Sequence, residues 1–106
     1  MAEDFQRLFA QVRGFDWNPK KRATNLRNHR IDFEDVKGIF DGYTFVRRSD
    51  RHGEIRYQVF GYGREVAVAF TLRGEVCWLI SARRARRDER RKYYAGLARQ
   101  PPTGKD

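Results

Sequence analysis

Three groups of residues have the types and spacing to act on an anionic substrate. Lys21, Asn25 and His29 recur at steps of four, which on a helix stacks them on one face. Glu54 and Arg56 are two apart in an alternating stretch, so on a strand they share a face and set a carboxylate beside a guanidinium. The third group is the run ISARRARRDERRKYY, residues 80–94, where six arginines and a lysine follow an apolar stretch. Imidazole and carboxylate groups move protons. Guanidinium forks match phosphate oxygens in pairs, as a lysine point charge does not. Each group also has a plainer reading: a solvated helix face, a surface ion pair worth little, a basic helix in water.

The charge balance bears on that choice. Of 106 residues, 23 are Lys or Arg and 14 are Asp or Glu, a net charge of +9 with a pI near 10.3. Residues 83–92 hold seven positive and two negative side chains, more than half of that excess. This balance points to a polyanion or an acidic protein partner. Within the run, Asp88 and Lys92 form a favourable i,i+4 pair, and Tyr94, Leu97 and Ala98 offer an apolar strip for docking. The run therefore reads as a folded helix with its charges held in fixed directions. His52 reads as a turn residue.

Other chemistries lack support. The sequence has no CxxC pair, no HExxH, no P-loop glycine pattern and no Gly-x-Ser-x-Gly, so no metal and no cofactor is expected. The single cysteine, Cys77, has no disulfide partner, and a reducing cytoplasm is the expected location. No run of about 18 apolar residues occurs, so no membrane span is expected. The opening MAEDFQRLFAQV lacks the basic-then-apolar order of a signal peptide.

The elements that must position these residues follow from periodicity. Phe5, Leu8, Phe9 and Val12 predict a short amphipathic helix over 3–13, ending at Gly14, with the extended piece FDW behind it. Asn18 and Pro19 predict the cap and first turn of a second helix. Asp32 starts a third, with Phe33, Val36, Ile39 and Phe40 on one face. Four strands are expected in YTFVRR, EIRYQVF, REVAVAFTL and VCWLISA, joined by the turns SDRHG, GYG and RGE. A last helix covers about residues 86–99. The fold class is α+β: helices, then a four-stranded antiparallel meander sheet, then a C-terminal helix. A single domain spans residues 1–106, with 1–14 a helical extension and 100–106 a flexible tail.

Taken together, four blocks resemble the BrnT family of type II toxins. They are Trp17-x-x-x-Lys21-x-x-x-Asn25-x-x-x-His29, Phe33-Glu34, Gly53-Glu54-x-Arg56, and Ser81-Ala82-Arg83-Arg84-Ala85 with Glu89 and Tyr93 behind. The likeness covers about residues 15–95. It implies a RelE-like toxin fold and a ribonuclease that halts translation by cutting RNA. It implies a BrnA-like ribbon-helix-helix antitoxin, with operator DNA reached only through the complex. Trp78 stands where that family usually carries a basic residue.

Under this resemblance the residues take roles. Cleavage through a neighbouring 2′-hydroxyl needs a base, an acid and cations for the charge on phosphorus, and needs no metal. Glu54 or His29 would handle protons. Arg56 and Arg83 would stabilise charge, with help from Lys21. Arg84, Arg86, Arg87, Arg90 and Arg91 would hold flanking phosphates. Replacing Arg56 or Arg83 by alanine is then expected to cut toxicity and spare the fold. Tyr57 or Trp78, if exposed, would stack on an unpaired base, although the alternation favours the core for Tyr57. The alternative is a non-catalytic nucleic-acid-binding or co-repressor subunit, a degenerate toxin.

Overall fold

The computed structural model describes residues 7, 9–41, 44–61 and 65–98, and of residues 41, 61, 97 and 98 the backbone only. The strands are β1 (Gly14–Trp17), β2 (Thr44–Arg48), β3 (Tyr57–Gly61), β4 (Val66–Arg73) and β5 (Val76–Arg84). The helices are α1 (Pro19–His29), α2 (Phe33–Val36), which runs into a 3-10 turn over Lys37–Asp41, and α3 (Arg87–Ala98). One sheet orders the strands β1-β5-β4-β3-β2.

The sheet corrects the expected four-stranded meander. Strands β2 to β5 do pair antiparallel in sequence. The FDW piece adds a fifth strand, parallel to β5, with Gly14 opposite Val76 and Trp17 opposite Leu79. So short a piece shows no alternation; the free edge of β5 makes it a strand. Arg7 and Phe9 have helical backbone, while Phe5 and Leu8 of the expected first helix lie outside the described residues. So do the turn over 62–64 and the tail over 99–106.

The EIRYQVF strand also starts later than its alternation suggests. Arg51 and Glu54 exchange backbone hydrogen bonds of 3.1 and 2.9 Å around His52 and Gly53. Both turn residues are left-handed, at φ 54° and 76°, which is what a tight two-residue hairpin needs. Glu54 therefore belongs to a turn, and Ile55 is 50% exposed instead of joining Tyr57 and Val59 in the core. The Thr71 hydroxyl donates to the Ile55 carbonyl at 2.7 Å and pins this segment across the end of β4.

Local signals do set α1 and α2. The Asn18 side chain accepts from the Lys20 and Lys21 amides at 2.8 and 3.4 Å, with Pro19 behind it in the first turn. Asp32 caps α2 by accepting from the Glu34 amide at 3.2 Å, and Arg22 forks onto the same carboxylate at 2.7 and 3.0 Å. Asn25 fastens α1 to the sheet. Beyond Leu79, β5 has no β1 neighbour, and the Asn25 amide donates to the Ala82 carbonyl (2.8 Å) and accepts from its N–H (2.9 Å). One side chain thus stands in for a strand, and leaving that buried N–H unpaired costs about 1–3 kcal/mol.

The two faces of the sheet are covered unequally. On one, Phe33, Val36 and Ile39 pack on Tyr57, Val59, Val68, Phe70, Cys77 and Leu79. Burial there pushes the Cys77 thiol up to about 12, so it is an inert core group. On the other face, α3 covers a small core of Phe60, Ala67, Ala85 and Tyr93, with Phe45 beside it. The docking residue is Tyr93 rather than the expected Tyr94, which is 43% exposed; the Leu97 and Ala98 side chains lie outside the described residues. Among the described residues, α3 leaves the rest of this face open, apart from Thr71, which the Ile55 segment keeps buried.

Candidate active site

The uncovered half-face is floored by a row across four strands: Arg47 beside Gln58, Gln58 beside Ala69, Ala69 beside Ser81. The next row towards α3 is Phe45, Phe60, Ala67 and Arg83, so Arg83 sits where the α3 core ends and the open surface begins. A bulge creates this placement. Phe70 pairs with Leu79 but Ala69 pairs with Ser81, leaving Ile80 as the extra residue. Simple alternation from Cys77 and Leu79 would point Ser81 and Arg83 into the core. The extra residue reverses the parity, and both join Trp78 on the open face.

Two grooves meet on this surface. The first, about 360 Å³, is lined by Lys21, Arg51, Arg56, Arg83 and Arg86 with Ser49, Gln58 and Ser81 among others. The second, about 320 Å³, is lined by Asn18, Lys21, Arg56, Arg73, Trp78 and the Leu79–Ile80 segment. Lys21 and Arg56 border both, and among the described residues no carboxylate lines either. Five cations line one concave site while the carboxylates that pair with Arg56, Arg83 and Arg86 stand outside its lining, an arrangement that favours an anion.

Arg56 is held from three sides. Its carbonyl accepts from the Ser49 amide at 2.8 Å, and its amide donates to Asp50 at 3.2 Å. Its Nε donates to Glu54 at 2.9 Å, and its two terminal nitrogens have no partner among the described residues. Arg48 forks onto Asp50 and holds that carboxyl below its usual range. Glu54 also receives Arg73 at 3.4 Å; its bond to Arg56 keeps it below the usual carboxylate range.

Arg83 is held differently. Its two terminal nitrogens each meet one oxygen of Glu89 at 2.9 Å, a bidentate fork. Glu89 is 1% exposed and also receives Arg47 at 2.8 Å and the Arg86 amide at 2.8 Å. The Arg83 bond, with these others, holds its carboxyl down to about 2. Arg83 therefore lends the groove its charge, while its fork is taken.

The anticipated residues separate. Lys21, Arg56, Arg83 and Arg86 come together. Glu54 stands behind Arg56 and lines neither groove. His29 is exposed at the far end of α1, roughly 12 Å along the helix from Lys21, and lines neither groove. Arg84 lies on the opposite face from Arg83 and pairs with Glu65 at 3.1 Å. Arg90 donates to the Ala85 carbonyl at 2.6 Å, a structural bond. Arg87 and Arg91 are exposed and line neither groove. Sequence reasoning passed over Arg51, Arg73 and the hub role of Glu89. An acid inside a basic run is the one signal that pointed to the last.

A family described as the ribonuclease toxin BrnT of type II toxin-antitoxin systems matches residues 17–89. The 1.1 Å crystal structure of the Brucella abortus ribonuclease toxin BrnT is similar at 26% identity and a TM-score of 0.56, over 72% of this chain and 100% of that one. No curated protein matches the chain.

Proposed function

The chain belongs to the BrnT family of ribonuclease toxins of type II toxin-antitoxin systems, and from that premise we propose that it is a metal-independent endoribonuclease acting in the Lys21–Arg56–Arg83 groove. The observation that carries this is the lining: five cations and, among the described residues, no carboxylate around one open site. Attack of the 2′-oxygen on phosphorus builds negative charge on the non-bridging oxygens. Cations fixed before the reaction stabilise that charge more than the ground state.

Arg56 is the principal stabiliser, because Glu54 holds its Nε and leaves the terminal nitrogens for phosphate. Lys21 donates the proton that the leaving 5′-oxygen takes up. The 2′-hydroxyl proton passes to water in the open groove. Glu54 is a positioning residue in this scheme: a carboxylate held low by Arg56 is a weak base. Arg86 holds a flanking phosphate. The antitoxin that such a toxin requires is assigned as a BrnA-like ribbon-helix-helix protein, with operator DNA bound only by the complex. The RNA cut halts translation in the cytoplasm.

Purified protein incubated with messenger RNA in EDTA tests the reading. Cleavage is expected from the wild type, and its loss in Lys21→Ala and Arg56→Ala with unchanged circular dichroism. RNA retarded on a gel but left intact would replace the enzyme with a binding module. Cleavage that needs added magnesium would overturn the metal-independent step.

A further inference from the structure

The second groove shares Lys21 and Arg56 with the first but has a different character. Trp78 sits in its wall, and the Arg73 guanidinium lies 4.5 Å from the indole centroid. The pair forms a flat, cationic surface of the kind on which unpaired bases stack. The indole N–H has no hydrogen-bond partner among the described residues. Asn18 is oriented too. Its Oδ1 accepts from the amides that start α1, so its Nδ2 faces away, with no acceptor among the described residues. Asp16 neighbours Trp78 across β1 and β5, but its carboxylate accepts from the Trp17 amide at 2.8 Å and does not line the groove.

Every functional side-chain group that the groove offers is therefore a donor or a cation. We propose that it is a nucleobase subsite: an unpaired base with carbonyl edges, uracil or guanine, stacks on the Trp78–Arg73 pair. The phosphate bonded to that nucleotide then lies between Lys21 and Arg56. This rests on the ribonuclease reading and adds a base preference to it. Adenine sets an exocyclic amino donor beside its ring-nitrogen acceptors, so against a groove of donors it matches fewer of the Asn18 and indole N–H groups than the two carbonyls of uracil do.

The test uses full-length Trp17→Phe protein, in which Trp78 is the remaining tryptophan. It is titrated with uncleavable 2′-O-methyl hexamers of uridine and of adenosine, and with an abasic hexamer of equal charge. The uridine hexamer should quench Trp78 and bind about tenfold more tightly than the abasic one, with adenosine between them. Trp78→Ala should erase the difference between uridine and abasic chains and keep the salt-dependent binding. Arg73→Gln, at a surface position, should narrow the difference and keeps the test open if Trp78→Ala fails to fold. Equal binding of uridine and abasic chains without quenching would overturn the subsite. If natural RNA is still cut in that case, the ribonuclease reading survives alone. If quenching and base preference appear but no RNA is ever cut, the subsite stands and the enzyme falls.

Discussion

Two carboxylates each hold arginines at the edge of the open sheet face, and they do so under opposite conditions. Glu89 is almost completely buried and meets Arg83, Arg47 and the Arg86 amide. Glu54 is about one-third exposed and meets Arg56 and Arg73. In the buried cluster the fork of Arg83 is consumed by Glu89. In the exposed one only the Nε of Arg56 is taken. Similar pair chemistry thus yields two products. Burial makes a joint that fastens α3 to β2 and β5. Partial exposure makes a bracket that presents a guanidinium to solvent. This separates two arginines that look equivalent as residue types: Arg83 shapes the site, and Arg56 is free to touch a phosphate.

Substitutions at the two carboxylates test that contrast. The largest effect is expected from Glu89→Gln, which leaves the half-buried charges of Arg83 and Arg47 uncompensated and should cost about 3 kcal/mol in urea unfolding, the low end for breaking a buried pair. Arg83→Ala should lower the urea midpoint in the same direction, against the expectation that it spares the fold. A wild-type midpoint in both variants would erase the distinction. Arg56→Ala should leave the midpoint in place and lower RNA cleavage about 10²–10³-fold, the loss typical of one transition-state donor.

Acid should separate the clusters next. The Glu89 carboxyl titrates near 2 in the folded protein against an ordinary 4.5. Its stabilisation is complete above the ordinary value and fades as pH falls from about 4.5 towards 2. Wild type should therefore lose stability through that window, followed by circular dichroism, and Glu89→Gln should show a flatter loss. The smallest effect belongs to Glu54. Glu54→Ala should leave the urea midpoint unchanged and lower cleavage about tenfold by freeing Arg56 from its productive position. Glu54→Gln, which keeps an acceptor for the Arg56 Nε, should recover most of the rate. No recovery would mean that the carboxylate itself moves a proton.

Much of the scaffold was legible because its causes are local. Asn18 and Pro19 mark the start of α1 through an orphan amide and a missing one, and Asp32 does the same for α2. The alternation of Val66, Val68, Phe70 and Leu72 marks the inner side of β4, and the apolar run of VCWLISA marks a strand with neighbours on both edges. Tyr57 falls in the core as its parity requires. What escaped depends on contacts made far along the chain. Asn25 reads as one member of a polar face, yet it is buried because Ala82, 57 residues on, presents an unpaired backbone. Glu54 and Ile55 read as strand residues, yet a two-residue turn and the Thr71 hydroxyl hold them outside the ladder.

Residue order alone sets where helices begin, which residues are apolar enough to be buried, and the excess of positive charge. Those depend on side-chain chemistry and on neighbours within a few positions. Which cations share a groove depends on how the strands pair and pack. One extra residue at Ile80 turns Arg83 to the open face and Arg84 away from it, and a buried Glu89 then fixes where Arg83 can point. A bulge arises from pairing between two strands, and a charge is oriented by the partner it finds, so neither is written into the order of residues along one chain.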